Sequence, residues 1–98
     1  MHEPVTLTPL FLAEEEFMPE SIEPGILYIS EHHGIAIHLC ACGCKSKTVM
    51  DLQPRWKDGW ILTRNGDKVT FRPSIGNFSG ENPYHAHYVI TDNIAEFC

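Results

Sequence analysis

Ile35-Ala36-Ile37-His38-Leu39-Cys40 alternates strictly between two sets of side chains. A β-strand projects successive residues to opposite faces, so Ile35, Ile37 and Leu39 face one way and Ala36, His38 and Cys40 the other. The strand runs directly into Cys40-Ala41-Cys42-Gly43-Cys44, three cysteines within five residues. Gly43 gives the backbone freedom to turn there, so that neighbouring thiols can converge. Farther along stand His85-Ala86-His87. Thiolate sulfur and imidazole nitrogen are the donors of tetrahedral zinc sites, and mixed sulfur and nitrogen donors favour zinc over other metals, with iron the alternative. Cys40, Cys42, Cys44 and His87 are therefore the candidate zinc ligands, with His85 in reserve.

Two other readings of the cysteines fit less well. A disulfide framework suits a secreted chain, but the first residues, Met1-His2-Glu3-Pro4, carry no basic region and no apolar run of a signal peptide. Bridges among Cys40, Cys42 and Cys44 would be strained at such short separations. The Cys-x-x-Cys spacing of thioredoxin-like redox centres is absent. Reduced thiols point to the cytoplasm as the expected compartment.

Working outward, strand signals recur on both sides. Pro24-Gly25 marks a turn before Ile26-Leu27-Tyr28-Ile29-Ser30, which is rich in strand-forming residues. Glu31-His32-His33-Gly34 reads as the hairpin connection to the next strand, with both histidines at a solvent-facing tip. Residues 1–12 suggest an N-terminal strand edged by prolines. Residues 13–19 contain Glu14, Glu15 and Glu16 and read as a solvated turn or short helix; an acidic patch for a basic partner is the alternative. Residues 48–52 form a further short strand. Asn65-Gly66 between Trp60-Ile61-Leu62-Thr63-Arg64 and Asp67-Lys68-Val69-Thr70-Phe71 is a strong hairpin signal. Residues 72–80 read as a loop in which Ser74, Gly76 and Asn77 shape a turn. No Gly-x-Ser-x-Gly setting surrounds Ser74 to mark it as a nucleophile. His87-Tyr88-Val89-Ile90 and Ile94-Ala95-Glu96-Phe97 pair around Asp92-Asn93. Trp56 and Trp60 read as core or rim packing. The expected fold is mostly β: a small single domain, residues 1–98, of short antiparallel strands and hairpins with a zinc knuckle.

Composition narrows the function. The chain has 98 residues, enough for one modest core, and its 43% hydrophobic content is that of a globular domain. A net charge of −6 with 7 Lys and Arg argues against a phosphate-tracking surface and hence against nucleic acid. No stretch approaches the roughly 20 apolar residues of a membrane-spanning helix, so no membrane partner is expected.

Four segments, taken in order, resemble a family of small bacterial and phage Cys/His zinc-binding proteins. They are Glu23-Pro24-Gly25-Ile26-Leu27-Tyr28-Ile29-Ser30, His38-Leu39-Cys40-Ala41-Cys42-Gly43-Cys44, Arg72-Pro73-Ser74-Ile75-Gly76-Asn77 and His87-Tyr88-Val89-Ile90. The resemblance covers roughly residues 17–97. Some members are encoded beside bacterial ubiquitin-like conjugation genes, and the resemblance implies a zinc-dependent peptidase acting on the tail of the ubiquitin-like protein. A cysteine of the family pattern, in Cys-x-Ser-His, is Tyr84 here; His85 or Cys98 would have to replace it. An acid and a histidine occupy the positions of Glu31 and His38 in the family pattern, which implies Glu31 as general base and His38 as its partner or proton shuttle. A substrate tail is expected to lie along an exposed strand edge. The alternative is a non-catalytic module, in which a closed four-ligand zinc stabilises a protein-interaction surface, as in a phage-encoded inhibitor or decoy.

Overall fold

A computed structural model describes residues 3–41, 43, 47–79 and 82–97; for residues 76–79 and 82–86 it describes the backbone alone. The described residues contain no helix. Among the described residues nine strands run in chain order: β1 Val5–Thr6, β2 Thr8–Phe11, β3 Ile26–Ser30, β4 Ile35–Leu39, β5 Lys47–Asp51, β6 Ile61–Asn65, β7 Lys68–Ser79, β8 Asn82–Thr91 and β9 Ile94–Phe97. They form two sheets, ordered β2-β3-β4-β5 and β1-β9-β8-β7-β6. No helix among the described residues is long and apolar enough to cross a membrane.

The inner faces of both sheets supply the core. Leu27, Ile29, Ala36 and Met50 from the first meet Val69, Phe71, Ile75, Tyr88, Ile90 and Ala95 from the second. Alternation sets Ala36, His38 and Cys40 on the core-facing, less apolar side, where all three are buried; on the other side Ile37 is buried and Ile35 and Leu39 are partly so. The mostly β expectation is met, with one parallel pairing, β2 with β3, among antiparallel neighbours.

Turn chemistry decides the connections. The β8–β9 turn uses Asp92 and Asn93, both at positive φ (48° and 71°), as a two-residue turn matched to strand twist requires. Asn93 also receives the Val69 N–H on its side-chain oxygen, 2.8 Å away. The β6–β7 turn is shifted by one residue from the expected Asn65-Gly66 centre. Asn65 pairs with Lys68, leaving Gly66 and Asp67 as the turn, with Gly66 at φ 66°.

Residues 13–19 form an exposed turn and irregular chain, the solvated-turn reading of this segment. One segment differs from expectation. Residues 72–79, expected as a loop, continue β7. Pro73 and Gly76 are turn formers locally, but the pairing of β7 with β8 overrides them by absorbing the misfit in a bulge. Phe71 pairs with Ile90 and Ile75 with Tyr88, so Arg72, Pro73 and Ser74 together oppose Val89. The Arg72 guanidinium sits at the break, donating to the carbonyls of Phe71 and Ile90 at 2.8 and 3.1 Å.

Candidate active site

The bulge places a serine against a histidine. Ile75 and Tyr88 are a cross-strand pair and both are buried. Ser74 and His87 each come one residue earlier, so strand alternation sends both to the opposite, outer face. There Ser74 Oγ and His87 Nε2 are 2.6 Å apart. His87 is exposed and Ser74 half-exposed, so a substrate can reach them. Bulges commonly re-aim a side chain beside an active site, and this one lifts Ser74 out of the regular ladder. Gly76 pairs with His87, so β7 has no Cβ opposite the imidazole.

With the proton on Nδ1, the Nε2 lone pair of His87 accepts the Ser74 hydroxyl hydrogen. That is the arrangement of a nucleophile beside its general base. Sequence reasoning assigned these residues elsewhere, Ser74 to a turn and His87 to a metal. The available signal was that Pro-Ser-Ile-Gly and His-Tyr-Val-Ile each set a polar residue just before an apolar strand residue. Their juxtaposition depends on a bulge that neither segment reveals alone.

On the other face of the same strands lies a second pair. His38 is fully buried, and its Nε2 is 2.6 Å from the Tyr88 hydroxyl. This hydrogen bond joins β4 to β8 across the core. Desolvation by burial lowers the His38 pKa from 6.5 to about 4, so the ring is neutral at neutral pH. Its Nδ1 is buried and has no hydrogen-bond partner among the described residues.

The expected approach of Glu31 to His38 is not found. Ser30 pairs with Ile35, which puts Glu31 at the tip of the β3–β4 hairpin. His38 lies three residues farther along β4, about 10 Å from Ile35 at the rise of a strand. Glu31 instead accepts a hydrogen bond from the Arg64 guanidinium at 2.9 Å, at the surface. His32 and His33 are exposed on the same tip, as expected. Trp60 packs against the core and Trp56 is 47% exposed.

Of the candidate metal ligands, Cys40 is buried at the end of β4 and His87 is the partner of Ser74. Cys42, Cys44 and the possible replacement ligand Cys98 lie outside the described residues, and His85 and Tyr84 are described in backbone only. Among the described residues no group of three or more His, Cys, Asp or Glu side chains is placed to hold a metal ion. The donor chemistry nonetheless suits zinc: alternation sets the unpartnered His38 Nδ1 on the same face as Cys40, and thiolate and imidazole are its usual ligands.

The family described as bacterial ubiquitination-like system serine protease (BubE) matches residues 14–98. The chain belongs to this family. Membership bears out the expected association with a bacterial ubiquitin-like system and a protease activity in it. BubE is described as a serine protease family, a type of protease the resemblance did not imply. No curated protein and no solved structure matches the chain. For a BubE protein, the Ser74–His87 contact is the feature of the described structure whose chemistry agrees with the family.

Proposed function

We propose that Ser74 and His87 are the nucleophile and general base of a serine peptidase that cleaves at the tail of a ubiquitin-like protein. The observation that carries this reading is the 2.6 Å Ser74–His87 hydrogen bond on an exposed face, in a chain of a serine protease family. Ser74 Oγ attacks the scissile carbonyl carbon while its proton passes to His87 Nε2. The tetrahedral adduct collapses, the C–N bond breaks, and His87 returns the proton to the leaving amine. Water, deprotonated by the same imidazole, then attacks the acyl-serine ester and releases the carboxylate with Ser74 restored. The protein partner implied is the ubiquitin-like chain itself.

Zinc remains a proposal for the cysteine segment, with Cys40, Cys42 and Cys44 as donors and His38 Nδ1 the imidazole of suitable chemistry. Bound there it would staple a small core. The proton transfers above belong to Ser74 and His87, and Glu31 takes no part in them.

The test is reaction of the purified protein with a fluorophosphonate, followed by peptide mass mapping. The expected result is one adduct on Ser74, lost in Ser74→Ala and strongly reduced in His87→Ala. An adduct elsewhere, or tail cleavage that survives Ser74→Ala, overturns the assignment. Cleavage abolished by a zinc chelator while the fold persists would restore the metallopeptidase reading.

A further inference from the structure

We infer that the substrate docks as an added β-strand on the open edge of β7, residues 73–79, where an extended peptide chain passes beside Ser74. The inference rests on the Ser74–His87 reading and extends it to how a substrate is recognised.

Strand lengths create this edge. β7 has 12 residues, but its pairing with β6 stops at Ile61 opposite Arg72. From residue 73 onward β7 is held by β8 on one side. On the side vacated by β6, no backbone hydrogen bond involving residues 73–79 is made among the described residues. The chain before Ile61 turns away from β7: Trp60 bridges to Leu52, donating its N–H to the Asp51 carbonyl at 2.7 Å and accepting from the Gln53 N–H at 2.9 Å.

An exposed edge presents a row of unpaired N–H and C=O groups, which proteins usually blunt with charged residues or proline. Here Pro73 stands only at the inner end. Beyond it the sequence is Ser74-Ile75-Gly76-Asn77-Phe78-Ser79, with no charged residue and no further proline. The unblunted stretch begins at the nucleophile. Residues 74–79 extend about 20 Å at the rise of a strand, room for about six residues of a partner. Ser74 and Gly76 share the outer face, and Gly76, paired with His87, carries no side chain there.

The ligand that fits is therefore an extended, unstructured peptide segment recognised mainly through its main chain. A flexible tail projecting from a folded protein has that chemistry; a loop already paired within a domain does not.

Two measurements separate this inference from the reading beneath it. The probe is a peptide of about eight residues, long enough to span the edge, copied from the tail of the ubiquitin-like protein of the same system and ending in an aminomethylcoumarin amide. Each backbone amide is N-methylated in turn. Strand addition predicts that kcat/KM falls about tenfold at alternate residues, whose N–H groups point at β7, and much less at those between. Second, the unmodified peptide is added to Ser74→Ala and amide hydrogen exchange is followed. Protection of about tenfold or more is expected within residues 74–79. No protection there, or sensitivity to N-methylation without alternation, overturns the inference. Protection in Ser74→Ala with no turnover by the wild-type protein sinks the serine mechanism and leaves the docking edge standing. Turnover that needs Ser74, with neither protection nor alternation, does the reverse.

Discussion

Two histidine–hydroxyl pairs of the same length lie back to back across β8. His87 meets Ser74 on the outer face and His38 meets Tyr88 in the core, each at 2.6 Å. His87 and Tyr88 are consecutive residues, as are Ser74 and Ile75, so one bulged strand pair presents one hydrogen bond to solvent and buries the other. The difference between them is water. The buried imidazole is held neutral by desolvation and its bond fastens one sheet to the other. The exposed imidazole stays within reach of substrate and solvent. A hydrogen bond's length therefore does not reveal its role; burial assigns the first pair to stability and leaves the second free for chemistry.

The sharpest way to break this contrast is to remove each pair in turn. Ser74→Ala is expected to lower kcat/KM for the tail peptide by about 10⁴-fold while changing stability by less than about 0.5 kcal/mol, as for a surface substitution. Peptidase assays and urea denaturation on the same preparation check both halves. A stability loss as large as that of a core variant would mean Ser74 is holding the bulge together rather than doing chemistry.

The buried pair makes the next largest prediction, and its sign follows from the lowered pKa. Between pH 6.5 and about 4 the unfolded chain binds a proton at His38 that the folded protein refuses. The contribution is therefore complete above pH 6.5 and is lost as pH falls towards 4, about 3 kcal/mol in all. Denaturation across this range should show the slope, and His38→Phe should flatten it. An unchanged slope in that variant assigns the acid sensitivity to other groups.

Tyr88→Phe keeps the ring and removes the hydroxyl, leaving His38 Nε2 buried without this partner. A loss of about 1–3 kcal/mol is expected from the unmet hydrogen bond. At a temperature where the variant is fully folded, kcat/KM should change by less than about tenfold. A collapse of activity with little loss of stability would make Tyr88 a positioning residue for His87 and blur the division between the two faces.

The smallest effect is expected at Glu31. Its ion pair with Arg64 is exposed, so Glu31→Gln should cost no more than about 1 kcal/mol and leave peptidase activity within about twofold. A loss of several orders of magnitude would return Glu31 to the role of general base and displace the serine mechanism.

Much of the fold was legible in local pattern. The alternation from Ile35 to Cys40, the apolar run from Ile26 to Ile29 and the Asp92-Asn93 turn each carry their conformation in a few neighbouring residues, because strand faces and positive-φ turns are local properties. Residues 72–79 were not legible in this way. Pro73, Ser74, Gly76 and Asn77 are turn formers by type, and only pairing with β8 holds them extended.

The site divided along the same line. By itself the sequence determined a small β domain, a cysteine cluster of metal-binding chemistry, and the presence of Ser74 and His87 ahead of apolar strand residues. Tertiary structure alone decided that these two meet, that His38 faces Tyr88 rather than Glu31, and that β7 outruns β6 beside Ser74. The physical reason is register. Which residues oppose one another is set by the hydrogen-bond ladder and its bulge across distant strands, and that information is carried jointly by both strands and by neither one alone.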